Sequence, residues 1–165
     1  MHLTSTAFDD GQTIPDLYTG VGKDVSPPLA WSNVPQGTKS LAVICDDPDA
    51  PTRARPRPEG PWVHWCIYNI PADVSDLSEG VPRQSKLEQP AGARQGANDF
   101  PSENVGYRGP MPPPGSGPHR YRFTIYALDA VLDLPAASAN KKSLLRAMEG
   151  QILGEGQLVG VYERS

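Results

Sequence analysis

The sequence predicts an antiparallel β-sandwich with one peripheral helix, and three observations point there. The 165-residue chain holds 19 prolines, more than twice the usual ~5%, scattered along its length rather than gathered into a linker. Each internal proline removes a helical hydrogen bond and clashes with the preceding turn, whereas short strands joined by rigid turns accept it. The segments between the prolines alternate or carry β-branched residues, and only one stretch near the C-terminus has a helical period. The length suits a single domain spanning residues 1–165, and a net charge of −4 is too small to hold such a chain open.

In chain order, residues 3–8 (LTSTAF) read as a short strand before the turn Asp9-Asp10-Gly11. Residues 28–34 (PLAWSNV) read as a second strand, closed by Pro35-Gln36-Gly37. Residues 40–47 (SLAVICDD) and 62–70 (WVHWCIYNI) are the strongest strands, with a Pro- and Arg-rich loop at 48–61 that permits antiparallel pairing without forcing it. Residues 71–118 lack sustained periodicity, which marks such a segment as functional or disordered. A linker is disfavoured, because the 47 residues after it are too few for a second core. A clear strand returns at 119–128 (HRYRFTIYAL). Residues 141–153 place Leu144, Leu145, Met148 and Ile152 on one helical face, with Asn140 as N-cap, although Lys141 and Lys142 oppose the helix dipole. A strand at 158–164 (LVGVYER) ends the reading.

Several function classes drop out. No apolar run approaches the ~20 residues that cross a bilayer. The opening Met1-His2-Leu3-Thr4-Ser5 has neither a basic region nor an apolar one, so no secretion signal is expected and a cytoplasmic location is. Two cysteines make neither a disulfide framework nor a metal knuckle. The acidic balance, without a basic stripe, argues against nucleic acid.

Chemistry concentrates at strand ends. On a period-two reading, Val43, Cys45 and Asp47 share a face, as do His64, Cys66 and Tyr68, and His119, Tyr121, Phe123 and Ile125. If those faces coincide, Asp47, His64, His119 and Tyr121 stand together above a layer of Cys and aromatic side chains. Any one of them alone reads as a satisfied strand-end group; their recurrence beside Pro-rich loops favours a site. A carboxylate beside imidazoles raises imidazole pKa, an imidazolium attracts anions, and Tyr and His donate to phosphate or carboxylate oxygens. In GPMPPPGSGP (109–118) prolines pin the loop while Gly115 and Gly117 leave its backbone accessible. The combination describes a rigid small-anion pocket.

Other chemistries are weaker. His64 and His119 with Asp47 and Asp49 lack a short ligand spacing, so neither metal nor cofactor is expected. No G-x-S-x-G turn occurs, although Ser116 near His119 keeps a hydrolase open, with a pocket His as general base. Cys45 and Cys66 read as neighbouring buried thiols on like-facing positions, not nucleophiles. Arg53, Arg55 and Arg57 read as a solvated run, with anion steering as the alternative.

DDPDAP (46–51), GPWVHW (60–65), ANDF (97–100), GY (106–107) and GPMPPPGSGPHRY (109–121) together resemble the phosphatidylethanolamine-binding protein family, in particular its prokaryotic Raf-kinase-inhibitor-like branch. SPPLAWSNVP (26–35) and the terminal LVGVYER extend the likeness through nearly the whole chain. The resemblance implies antiparallel sheets, a C-terminal helix and a pocket for phosphate-type groups, including phospholipid head groups. It assigns Asp47, His64, His119 and Tyr121 to the pocket, and Pro112 and Pro113 to its wall. Asp49 ties the loop, with Pro51, Pro61 and Trp62 as structural neighbours, and cis peptides are expected at one or both of Ala50–Pro51 and Gly60–Pro61. Three departures stand out: Pro118 forces an extended approach to His119, Gln151 replaces a frequent histidine that could serve as a ligand-side donor, and no long C-terminal covering tail is evident.

The resulting expectation is a non-enzymatic binding protein for a small anion. A regulator or inhibitor binding a kinase or protease partner is the first alternative, and a hydrolase the second. A homodimer is open on the family's precedent alone.

Overall fold

Eight strands and one helix follow in the order β1 (His2–Thr4), β2 (Leu29–Ser32), β3 (Ser40–Asp47), β4 (Trp62–Pro71), β5 (Asp76–Leu77), β6 (Arg94–Gln95), β7 (His119–Leu128), α1 (Lys141–Met148) and β8 (Ile152–Tyr162). They are seen in a computed structural model that describes residues 1–165. A three-stranded sheet has the order β1-β2-β5 and a five-stranded sheet the order β6-β4-β3-β7-β8, with every pairing antiparallel. No helix is long and apolar enough to cross a membrane.

β3 is buried at all eight positions because the large sheet is covered on both faces. Its odd residues Leu41, Val43 and Cys45 join the core between the sheets, with Trp31, Trp65, Phe123 and Ile125. Its even residues Ala42 and Ile44 face the second core, with Leu144 and Met148 of α1. A strand covered on both sides reads as a continuous apolar run, which is what SLAVIC is.

β4 departs from simple alternation. Cys45 pairs with Trp65 and Asp46 with Val63, so β4 carries an extra residue, His64, at a bulge. A second shift lies between the Leu41–Ile70 and Val43–Ile67 pairs, where Asn69 has φ +55°. The first bulge turns consecutive residues His64 and Trp65 to the inner face and returns Cys66 and Tyr68 to the helix side. The expected shared face of His64, Cys66 and Tyr68 is therefore corrected. Cys45 and Cys66 lie on opposite sides of the sheet, both buried and unbridged.

The helix is shorter than its periodicity suggests. Gly150, at φ +75°, reverses the chain after Met148, and Gln151 N–H donates to the Met148 carbonyl at 2.9 Å. Ile152 consequently opens β8 and is exposed, as is Leu145. Asn140 caps the helix reciprocally with Ser143, 2.9 Å in each direction, and Lys141 reaches back to Asp46 at 2.6 Å.

The aperiodic segment 71–118 is neither loose nor a linker, because polar side chains pin it. Gln95 accepts from Trp65 Nε1 at 2.8 Å and donates to the Pro82 and Gln84 carbonyls, and Tyr107 O–H donates to the Tyr18 carbonyl at 2.6 Å. Ala50–Pro51 is cis as expected; Gly60–Pro61 is not, and the second cis bond lies at Gln89–Pro90. The outer edge of β8 is paired near its C-terminal end. Gly11 and Ile14 N–H donate to the Val159 and Val161 carbonyls, and Val161 N–H donates to the Gln12 carbonyl.

Candidate functional site

At one end of the large sheet, β3 finishes on Asp47, β7 begins on His119 on one side of it, and the β4 bulge delivers His64 on the other. Tyr121, two residues into β7, packs edge-on against His64 with centroids 5.1 Å apart and lies parallel to His119. These four side chains line a cavity of about 330 Å³ that is open on one side. Pro112 and Pro113 form part of its wall, as do Pro51 and Trp62. Pro61 and Asp49 lie outside the lining. Asp49 is buried and accepts from the Arg120 N–H, Nε and guanidinium nitrogen at 2.9, 3.0 and 2.8 Å, which joins the loop after β3 to the start of β7. Burial works to raise the Asp49 pKa, but the Arg120 bonds and charge outweigh it and the net shift is downward. Gln151 sits beside Leu128, at the far end of β7 from His119, so it contributes no ligand-side donor.

Both oxygens of Asp47 are engaged. Oδ1 accepts the Asp49 N–H at 2.7 Å and Oδ2 accepts from His119 Nδ1 at 2.7 Å. His119 Nε2 lies 3.0 Å from Ser116 Oγ, and the Ser116 hydroxyl donates to the Pro113 carbonyl at 2.7 Å. His119 is thus held at both ring nitrogens.

His64 is fixed differently. Its Nδ1 is 2.6 Å from the Arg108 carbonyl, which can only accept, so Nδ1 carries the hydrogen. The Arg108 N–H returns a bond to the His64 carbonyl at 3.0 Å. Burial lowers the His64 pKa below 6.5 despite the opposing pull of the Arg108 bond and nearby acids. At neutral pH the ring is uncharged and Nε2 presents a lone pair. This corrects the imidazolium expected at His64, because desolvation outweighs Asp47. Burial and the Asp47 charge push the Tyr121 phenol strongly upward, so it remains an O–H donor.

Several contributors escaped the sequence reading. Asp24, in the left-handed region at φ +59°, accepts the Gly109 N–H at 2.6 Å and Arg108 Nε at 3.1 Å, and so steadies the residue that orients His64. Phe100 and Met111 line the cavity. Arg57 lines it too and is not a solvated loop charge. It donates to the Gly60 and Pro61 carbonyls at 3.0 and 3.2 Å and stands 4.9 Å from the Trp62 ring centre. Phe100 and Met111 had a signal, inside the ANDF and GPMPPPGSGPHRY blocks; the partners of Asp24 and Arg57 are set by tertiary structure.

The family model for phosphatidylethanolamine-binding protein matches residues 4–163. A UPF0098 protein of Methanothermobacter thermautotrophicus is 51% identical over 164 residues, 99% of each chain. Among solved structures, Escherichia coli YbcL, described as a member of the mammalian PEBP family, is similar with a TM-score of 0.87 at 33% identity, covering 99% of this chain and 98% of its own. A putative PEBP homolog from Chlamydia trachomatis gives 0.84 at 41% identity, covering 99% and 97%. With a family model spanning nearly every residue and relatives at these identities, the kinship is direct: the chain belongs to the phosphatidylethanolamine-binding protein family.

Proposed function

We propose that this chain is a non-enzymatic binding protein whose cavity takes a small oxyanionic group of the phosphate or carboxylate kind. The observation that carries the reading is the convergence of Asp47, His64, His119 and Tyr121 from three adjacent strands on one cavity. His64 Nε2 makes no hydrogen bond within the protein, and the Tyr121 hydroxyl, set against Asp47, lines the same cavity, which makes them the natural contacts for ligand oxygens. The family description adds phospholipid head groups as one source of such a phosphate. Calorimetry with inorganic phosphate tests the reading. Saturable binding is expected, weakened at least ~10-fold in Tyr121→Phe and His64→Ala. Binding weaker than ~10 mM, or unchanged in both variants, would remove the cavity from the account.

One observation favours a second reading, a hydrolase. Asp47, His119 and Ser116 stand in the order of a carboxylate–imidazole–hydroxyl relay. The Ser116 hydroxyl, however, is turned onto the Pro113 carbonyl and lies outside the cavity lining, which ranks binding first. Steady turnover of simple esters, abolished in both Ser116→Ala and His119→Ala, would reverse that order.

A further inference from the structure

We propose that the free edge of β5 is a docking site for an extended, cationic segment of a partner protein, which joins the small sheet as a fourth strand. β5 ends that sheet, and its one neighbour is β2. Trp31 N–H donates to the Ser75 carbonyl at 3.0 Å, and Leu29 stands opposite Leu77. Hydrogen-bonded pairs alternate along an antiparallel ladder. Ser75 and Leu77 therefore turn their main-chain groups toward β2, and Asp76 turns its N–H and C=O away. The Ser78 main chain makes no hydrogen bond in the fold, and both Asp76 and Ser78 are exposed. They offer main-chain groups at the two-residue repeat of an extended chain.

A recess runs along this edge. One hollow of about 300 Å³ shares Asp76, Leu77 and Ser78 with a second of about 220 Å³, and Pro82 and Gln89 with a third of about 320 Å³. Joined in this way they are elongated, as an extended chain requires, and none includes a residue of the cavity at the ends of β3, β4 and β7. Leu77 is buried in the core between the sheets, and Val74 and Val81, which line the first hollow, pack against that same core. In an added strand the residue opposite Leu77 points to this apolar side, while those opposite Asp76 and Ser78 point outward with them.

Charge selects the occupant. The three hollows are lined by Asp76, Glu79 and Glu88 and by no Lys, Arg or His. Asp76 and Glu88 are exposed and form no ion pair, and Glu79 accepts the Tyr18 hydroxyl at 2.5 Å through one oxygen. Lys23 and Arg83 line a different hollow, where Asp24 holds Arg83 at 3.1 Å. A carboxylate on a short edge strand keeps neutral and acidic strands away. A Lys or Arg directly across from it turns that contact into an attraction. The segment therefore carries a cation opposite Asp76 and an apolar residue opposite Leu77.

Nuclear magnetic resonance of the isotope-labelled full chain tests this, with an end-capped Lys-Val-Lys-Val-Lys peptide as probe at about 20 mM salt, where surface charge is weakly screened. Saturable shifts are expected at the Asp76, Ser78 and Gly80 amides, with the His64 and Tyr121 amides unmoved. A Glu-Val-Glu-Val-Glu peptide should bind at least ~5-fold more weakly. So should the lysine probe N-methylated at its lysines, because the residues across from Asp76 and Ser78 are the ones whose N–H enters the ladder. Asp76→Lys should weaken the unmodified probe at least ~5-fold, and Ser78→Pro, which deletes an edge N–H, at least ~3-fold. No saturation below ~10 mM overturns the proposal. Equal binding by the acidic or methylated peptide, indifference to both variants, or shifts centred on His64 and Tyr121 also overturn it. Concentration-dependent shifts at the same amides without peptide, abolished in Asp76→Lys, would give this edge to a second copy of the chain and overturn its assignment to a partner.

Discussion

Asp46 and Asp47 are consecutive residues of β3, yet the two sides of the sheet treat them differently. On the helix side, Asp46 accepts from Arg122 Nε and guanidinium nitrogen at 2.8 and 3.1 Å and from Lys141 Nζ at 2.6 Å. Two permanent cations from separate elements meet on one carboxylate, tying α1 to β7. On the cavity side, Asp47 meets a main-chain N–H, an imidazole and the Tyr121 phenol, and its neighbour His64 keeps Nε2 unpaired. One face uses its polar groups to close the structure, and the other leaves an imidazole nitrogen open toward the cavity.

Breaking the helix side should give the largest stability loss. Asp46→Ala strands two cations, but Arg122 and Lys141 stay partly solvated. The expected loss is about 2 kcal/mol, below the ~3–5 of a fully buried pair, read from urea midpoints, with phosphate affinity within ~2-fold. Asp47→Asn should do the reverse, costing ~1 kcal/mol of stability but ~10-fold or more in affinity. Equal effects of the two on binding would end the contrast.

A smaller effect sharpens it through pH. Because burial depresses the His64 pKa below 6.5, the unfolded chain binds a proton there more readily than the native one. Its contribution is intact above ~6.5 and lost as pH falls through the native pKa. The drop in urea midpoint from pH 7.5 to 5.5 should therefore be shallower in His64→Gln; an unchanged slope would mean that His64 charges freely in the fold. Smallest of all, the thiols should leave stability untouched and differ only in reactivity. Burial raises both, Cys66 to about 12, so a thiol reagent at pH 8 should label neither in the native state and both in urea. A mass two units low would contradict their placement on opposite faces.

The strands with strict alternation or continuous apolar character were legible in the sequence: β3 and β7 have the bounds that SLAVICDD and HRYRFTIYAL suggest. His64 was found for an incomplete reason. Parity grouped it with Cys66, whereas an extra residue in β4 separates the two, and a bulge leaves no mark in hydrophobic period. β5 and β6 have only two residues each and were invisible for want of any period. The orienting pair Asp24 and Arg108 lies 84 positions apart, joined only once the irregular segment is folded onto the sheet. Helix length failed for a local reason, since Ile152 continues the apolar stripe past a glycine that ends the helix.

The pairing of Gly11, Gln12 and Ile14 along the C-terminal half of β8 has a consequence for how these molecules meet one another. A bare strand border is a template on which another chain can extend a sheet. Here that template is blocked by the protein's own backbone on the half of β8 that ends at Tyr162, the partner of His119. Next to the cavity, then, crowding at high concentration finds no open ladder to grow on, and the mouth stays clear of sheet-to-sheet association along that border.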